Sequence, residues 1–144
     1  MATYKTYERS TQKVVVLGAN GFLGQSLATF FEQGGWGLAD EGEFNPSYIH
    51  RLPAGATLIN CVGTRTSHLP DAISVNSSLP QKLAEIALVN SNRLIHFGSS
   101  AEYSSRGYGI SEKSETRPTS VYGISKLEGT QNLLRLNRPE NILE

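Results

Sequence analysis

The stretch KVVVLGANGFLG, residues 13–24, constrains the fold more than any other part of this 144-residue chain. Val14, Val15, Val16 and Leu17 form a β-branched apolar run, short enough for a fully buried strand. Glycines follow at 18, 21 and 24. Phe22, Leu23, Leu27, Phe30 and Phe31 then recur at helical spacing until the GGWG cluster at 34–37 stops the helix. The order is strand, tight glycine turn, helix. In that context Gly18 permits the sharp turn, Gly21 leaves room for a pyrophosphate, and Gly24 lets the helix pack closely on the strand. Free amides and the helix dipole then favour phosphate at the helix start. The Gly-Lys-Ser/Thr ending of a triphosphate-binding loop is absent, so a dinucleotide is preferred to ATP or GTP.

The same alternation recurs twice. ATLINCVG is a second buried strand, followed by a helix marked by Leu79, Leu83, Ile86 and Ala87. RLIHFGSS is a third, and a polar loop leads from it to a helix over residues 121–137. Alternating strands and helices predict an α/β fold, a three-layer doubly wound parallel sheet of Rossmann type. Right-handed crossovers put the strand C-terminal ends on one edge, where ligands bind in such sheets. Residues 18–24, Gly63, Ser99 and Ser100 all fall there. Between residues 37 and 56 the sequence offers only a short strand, WGLAD, and a short helix around 46–52, fewer elements than a dinucleotide fold usually has. Residues 1–12 read as a flexible lead-in, which leaves 13–144 as the dinucleotide-binding domain. Asn141, Ile142 and Leu143 resemble the start of a further strand.

Composition narrows the function by exclusion. With 38% hydrophobic and 18% charged residues the chain is ordinary globular protein. A formal net charge of zero gives no electrostatic case for nucleic acid or an anionic membrane surface. No stretch approaches the ~20 apolar residues of a membrane span, and the polar N-terminus is no secretory signal. A cytoplasmic protein is the expectation. Cys61, the single cysteine, excludes an internal disulfide and sits in an apolar run that favours a buried, inert thiol. His50, His68 and His96 share no metal-binding spacing. His96 reads as a packed or hydrogen-bonded core residue, Trp36 as a hydrophobic plug, and Arg65 as a solvated loop residue rather than a phosphate contact.

Two further features bear on chemistry. Asp40 lies 22 residues past Gly18, where an acidic residue can bind the adenosine ribose hydroxyls. No Lys or Arg occurs between Lys13 and Arg51, so no clamp for a 2′-phosphate is visible locally. NAD is favoured over NADP. In TSVYGISKLEG, Tyr122 and Lys126 stand four apart on a helix, one turn from each other on one face. An ammonium held near a phenol favours the phenolate, so the pair could work as a tuned acid/base; it could also be an ordinary surface pair.

Taken together these residues resemble the extended short-chain dehydrogenase/reductase, or NAD-dependent epimerase/dehydratase, family. VVVLGANGFLG resembles its cofactor turn, which implies cofactor contacts at Gly18, Asn20, Gly21, Phe22, Leu23 and Gly24. LINCVG is similar to the strand whose end flanks the cofactor, which implies Cys61, Val62 and Gly63. SVNSSLPQKLAEIA resembles the helix that follows, with its Asn at 76. LIHFGSSAEYSS and RPTSVYGISKLEGTQNLL resemble the segments carrying the catalytic set, here Ser100, Tyr122 and Lys126. The resemblance implies that Tyr122 is the general acid/base on a substrate hydroxyl or carbonyl. Lys126 would lower the Tyr122 pKa and bond the nicotinamide ribose, and Ser100 would hold the reacting oxygen. It also implies a nucleotide-sugar substrate and a homodimer in the full-length protein.

The sequence departs from the family pattern in three places. The phrase SAEYSS is one residue short, which leaves Ser99 as the alternative to Ser100. Where dehydratases of the family carry an Asp-Glu pair the chain has Ala101 and Glu102, and a solvated loop carboxylate is favoured over an acid/base role for Glu102. Relatives run to more than twice this length, so a cofactor-binding part without its substrate lobe is expected. Epimerase, dehydratase and reductase all fit. The competing class is a non-catalytic dinucleotide sensor on the same fold, which has no need for Ser100, Tyr122 and Lys126 together.

Overall fold

A computed structural model of the chain describes residues 1–103, 109–136 and 142–143. Asn137 and Asn141, expected as a helix end and a strand start, lie outside them. Among the described residues six strands form one sheet in the order β3-β1-β2-β4-β5-β6. They are β1 (Thr3–Arg9), β2 (Gln12–Leu17), β3 (Gly37–Glu43), β4 (Thr57–Asn60), β5 (Arg93–His96) and β6 (Ile142–Leu143). β2, β4, β5 and β6 run parallel.

Helices cover both faces. On one, α1 (Phe22–Gln33) packs Ala28 and Phe31 against Tyr7, Val14, Val16 and Ile59. On the other, α3 (Leu79–Val89) and α4 (Val121–Arg135) pack Leu79, Leu83, Ala87 and Leu133 against Val15, Leu17, Leu58 and Leu94. The apolar runs of β2 and β4 thus feed the two cores alternately, as strands buried on both faces must. The three-layer α/β expectation holds. Trp36 packs edge-on against Phe31, ring centroids 5.2 Å apart.

Residues 1–12 are not a flexible lead-in. Thr3–Arg9 is a strand that pairs antiparallel with β2 on one side and β3 on the other. Its Thr and Tyr residues are good strand formers, and Tyr7 is fully buried, stacked on Phe31 at 5.3 Å. An antiparallel strand therefore separates two strands that the βαβ unit would otherwise make neighbours. Strands lie about 4.8 Å apart, so β3 is about 10 Å from β2. The same ladder carries β3 to Glu43, which places Asp40 in mid-strand opposite Thr6 rather than at a strand end. A 3-10 helix, Pro46–Arg51, follows. No helix among the described residues is long and apolar enough to cross a membrane.

Before α3 the chain forms a short helix α2 (Leu69–Ile73) and one π-turn, Ser74–Ser78. A π-turn in a helical run often marks a functional position, and Asn76 occupies its centre.

Candidate functional site

The glycine turn begins where β2 ends. Gly18 has φ +79°, and a Cβ there would lie 2.9 Å from the Cys61 carbonyl carbon and the Val62 nitrogen. Only glycine combines that dihedral with that approach. A Cβ on Gly24 would run into the Gly18 carbonyl, which is the close helix-to-strand packing expected of the third glycine. α1 starts at Phe22, a residue that is 93% exposed. The first N–H groups of α1 have no carbonyl in a preceding turn to bond, and they stand at the C-terminal edge of the parallel strands.

Part of this turn is already engaged. The Gly18 and Ala19 amides donate to the Thr3 carbonyl at 2.7 and 2.9 Å. Asn20 Nδ2 donates to the Met1 carbonyl at 2.9 Å, and the Thr3 amide donates to Asn20 Oδ1 at 3.2 Å. Asn20, expected at the cofactor, is bonded to the start of β1. The sequence signal was the Thr/Tyr-rich alternation TYKTY before the polar pair Ser10–Thr11.

Asp40 is not brought to the turn. β1 intervenes, and the Tyr4 hydroxyl donates to Asp40 Oδ2 at 2.8 Å. That bond, with desolvation and the carboxylate charge, raises the Tyr4 pKa.

The end of β4 backs the turn. The Cys61 amide donates to the Leu17 carbonyl at 2.8 Å, and the Val62 amide to Asn60 Oδ1 at 3.1 Å. Burial pushes the Cys61 thiol up to about 11, in keeping with an inert side chain. Val62, Gly63 and Thr64 line a cavity of about 380 Å³ with Phe44, Val75 and Leu79.

Asn76 ties that loop to α4. Its Oδ1 accepts from the Thr64 amide at 2.9 Å. Its Nδ2 donates to the Thr64 carbonyl at 2.8 Å and to Ser125 Oγ at 2.9 Å. Ser125 Oγ in turn donates to the Tyr122 carbonyl at 2.9 Å. The loop thus held carries Arg65 over the Tyr122 ring, 5.5 Å from its centroid. The sequence reading of Arg65 as a plain solvated side chain missed that contact.

Ser120 caps α4 by accepting from the Gly123 amide at 3.0 Å, which fixes Tyr122 in the first turn. Lys126, one turn on, is only 6% exposed. Its Nζ donates to the Phe97 carbonyl and lies 3.3 Å from His96 Nε2. These partners belong to the end of β5, so Lys126 spans from the helix to the strand. Asn60 Nδ2 lies 3.1 Å from His96 Nδ1. Burial first, then the Lys126 charge, lowers the His96 pKa to about 3, so the ring is neutral.

Ser100 opens a 3-10 turn, Ser100–Glu102, and is exposed. Ser99 Oγ accepts from the Ala101 amide at 3.2 Å, and Glu102 Oε1 accepts from the Ser99 amide at 2.7 Å. Together these bonds form a capping box. Glu102 is 3% exposed, so it is a buried cap and not a solvated loop carboxylate. Gly18, Gly21, Phe22, Gly24, Cys61, Val62, Gly63, Ser100, Tyr122 and Lys126 follow the ends of β2, β4 and β5 or stand on the helices facing them. Asp40 does not.

A model of the NAD dependent epimerase/dehydratase family matches residues 14–142. The chain belongs to that family. No curated protein matches it in sequence. Among solved structures it is similar to MoeE5 in complex with UDP-glucose and NAD. The TM-score is 0.77 and the identity 21%, over 90% of this chain and 50% of that one. A dTDP-4-dehydrorhamnose reductase from Bacillus anthracis in complex with NADP gives 0.75 and 19%, over 94% and 53%. The corresponding reductase from Clostridium acetobutylicum gives 0.71 and 20%, over 90% and 50%. The chain spans about half the length of these structures, and at these identities the likeness is one of fold.

Proposed function

We propose that the chain is the cofactor-binding part of an enzyme that carries out NAD-dependent oxidoreduction on a nucleotide-linked sugar, as an epimerase, dehydratase or reductase. The observation that carries this reading is the convergence at one sheet edge. Gly18 lies against Cys61 and Val62, and Lys126 reaches the end of β5 beside them. Fit to the cofactor rests on the open start of α1 and on Gly21, where an added Cβ would crowd the Gly18 carbonyl oxygen at 3.3 Å. With the Gly18 and Ala19 amides given to Thr3, the amides of Phe22, Leu23 and Gly24 at the start of α1 are placed to bind the pyrophosphate.

NAD, when bound, supplies the hydride acceptor and donor. Tyr122 transfers the proton of the substrate hydroxyl or carbonyl. Lys126 holds the nicotinamide ribose, and Ser100 holds the reacting oxygen. Arg65 places a cation over the Tyr122 ring. NAD is preferred to NADP because residues 14–50 contain no Lys or Arg. Asp40 has no part in this preference, since β1 keeps it from the turn.

Calorimetric titration of the chain with NAD and NADP tests the reading. Saturable NAD binding that Gly21→Val weakens is expected; a folded chain that binds neither would sink the cofactor assignment. Tyr122→Phe is expected to leave NAD affinity intact and to abolish turnover in the longer protein.

A further inference from the structure

His96 is 1% exposed and Asn60 is 2% exposed. An apolar residue at position 96 would continue the core pattern of β5 and avoid the cost of desolvating an imidazole. The ring instead stands between Asn60 and Lys126, and its two nitrogens face them at 3.1 and 3.3 Å. We infer that His96 is a positioning residue for Lys126, a neutral imidazole oriented by Asn60 that fixes the Lys126 nitrogen at the end of β5. This rests on the reading of Lys126 as a member of the catalytic set.

The hydrogen-bond directions give the arrangement its chemistry. The Val62 amide donates to Asn60 Oδ1, which turns Asn60 Nδ2 toward His96 Nδ1. Nδ1 then accepts, and the one proton of a neutral ring sits on Nε2. Nε2 faces Lys126 Nζ, which itself donates to the Phe97 carbonyl. An Nε2–H set against an ammonium would oppose two donors. The conflict at Lys126 is relieved when the ring carries its proton on Nδ1, so that Nε2 accepts from the Lys126 ammonium. The Asn60 amide must then reverse to accept from Nδ1, which gives up the bond from the Val62 amide. The imidazole tautomer, the Asn60 orientation and the Lys126 contact are thus set together. Because Asn60 is also bonded to Val62, the state of Lys126 is linked to the cavity wall at the end of β4.

Nuclear magnetic resonance of the chain with ring-15N histidine tests the link. A single neutral tautomer is expected for His96, and Lys126→Met is expected to shift both ring nitrogens. Identical ring shifts in the folded variant would overturn the inference. Should Lys126→Met fail to fold, the reverse experiment decides. His96→Gln, with 15N-lysine labelling, is expected to shift the Lys126 Nζ signal, and an unchanged signal would overturn the inference. His96→Phe keeps an aromatic ring without nitrogens, and mere packing by the ring would leave its Nζ signal near that of the wild type. Neither readout uses a dinucleotide, so a failure of NAD to bind the wild type would overturn the cofactor reading alone.

Discussion

The carbonyl oxygen of Thr3 accepts the Gly18 amide at 2.7 Å, and through it the first strand of the chain closes onto the glycine turn. The Ala19 amide shares the same acceptor, and Asn20 bonds Met1 and Thr3 from the other side. The turn is therefore shaped from two directions. β4 sets the limit behind Gly18, and the start of β1 holds its front. What remains open toward a ligand is the first turn of α1.

If β1 is part of the sheet and not an appendage, its buried ring should carry stability. Tyr7 is fully buried and stacked on Phe31, with its hydroxyl donating to Glu32 Oε1 at 3.0 Å. Tyr7→Ala is expected to cost about 3–5 kcal/mol, the range for emptying a large aromatic site. Urea denaturation measures it. A loss below about 1 kcal/mol would mean that the hairpin contributes little to the fold.

The third glycine makes a sharper claim about the ligand edge. A methyl group on Gly24 would meet the Gly18 carbonyl, so α1 must move off the turn to admit it. Gly24→Ala is expected to destabilise by about 1–3 kcal/mol and to weaken NAD at least about tenfold, 1.4 kcal/mol. Calorimetry on the folded variant reads the second effect. Unchanged affinity would separate the turn from cofactor binding.

Asn76 offers a test of how the loop beside Tyr122 is held. It satisfies both the amide and the carbonyl of Thr64, which are half-buried, and reaches the buried Ser125, so its removal breaks three bonds at once. Asn76→Ala is expected to cost about 2–3 kcal/mol. Asn76→Asp is expected to cost at least as much, because a carboxylate would face the Thr64 carbonyl with no proton to give. Denaturation curves of the two variants check both the size and the order.

These sites differ in how far the sequence announces them. β2, β4 and β5 are apolar runs bounded by glycine or polar residues, and such runs are legible because burial on both faces leaves no other reading. The roles of Gly18 and Gly24 are legible for the same reason, since the spacing fixes which atoms must come close. β1 is not. TYKTYER is polar on inspection, and its place in the sheet depends on Tyr7 meeting Phe31 from α1. Asp40 failed with it, because the ribose expectation assumed that β2 and β3 were neighbours. The contacts of Lys126 with His96, and of Arg65 with Tyr122, join residues 30 and 57 positions apart. No local pattern encodes such pairs.

The buried imidazole gives a pH dependence with a definite sign. In the folded chain His96 titrates at about 3, against about 6.5 in an unfolded one. Between those values the unfolded state binds the proton and the folded state does not, so stability falls as pH drops below about 6.5. The loss attributable to this group is about 2 kcal/mol by pH 5, at 1.36 kcal/mol for each unit below the unfolded value. Carboxylates change protonation over part of the same range, so the wild type alone does not isolate the histidine. His96→Phe fills the site without a titratable nitrogen, and the difference between the two proteins does. Measured by urea denaturation at pH 7 and pH 5, the wild type is expected to lose about 2 kcal/mol more than the variant. Parallel losses would mean that the ring accepts its proton in the folded state, which the position of Lys126 Nζ at 3.3 Å argues against.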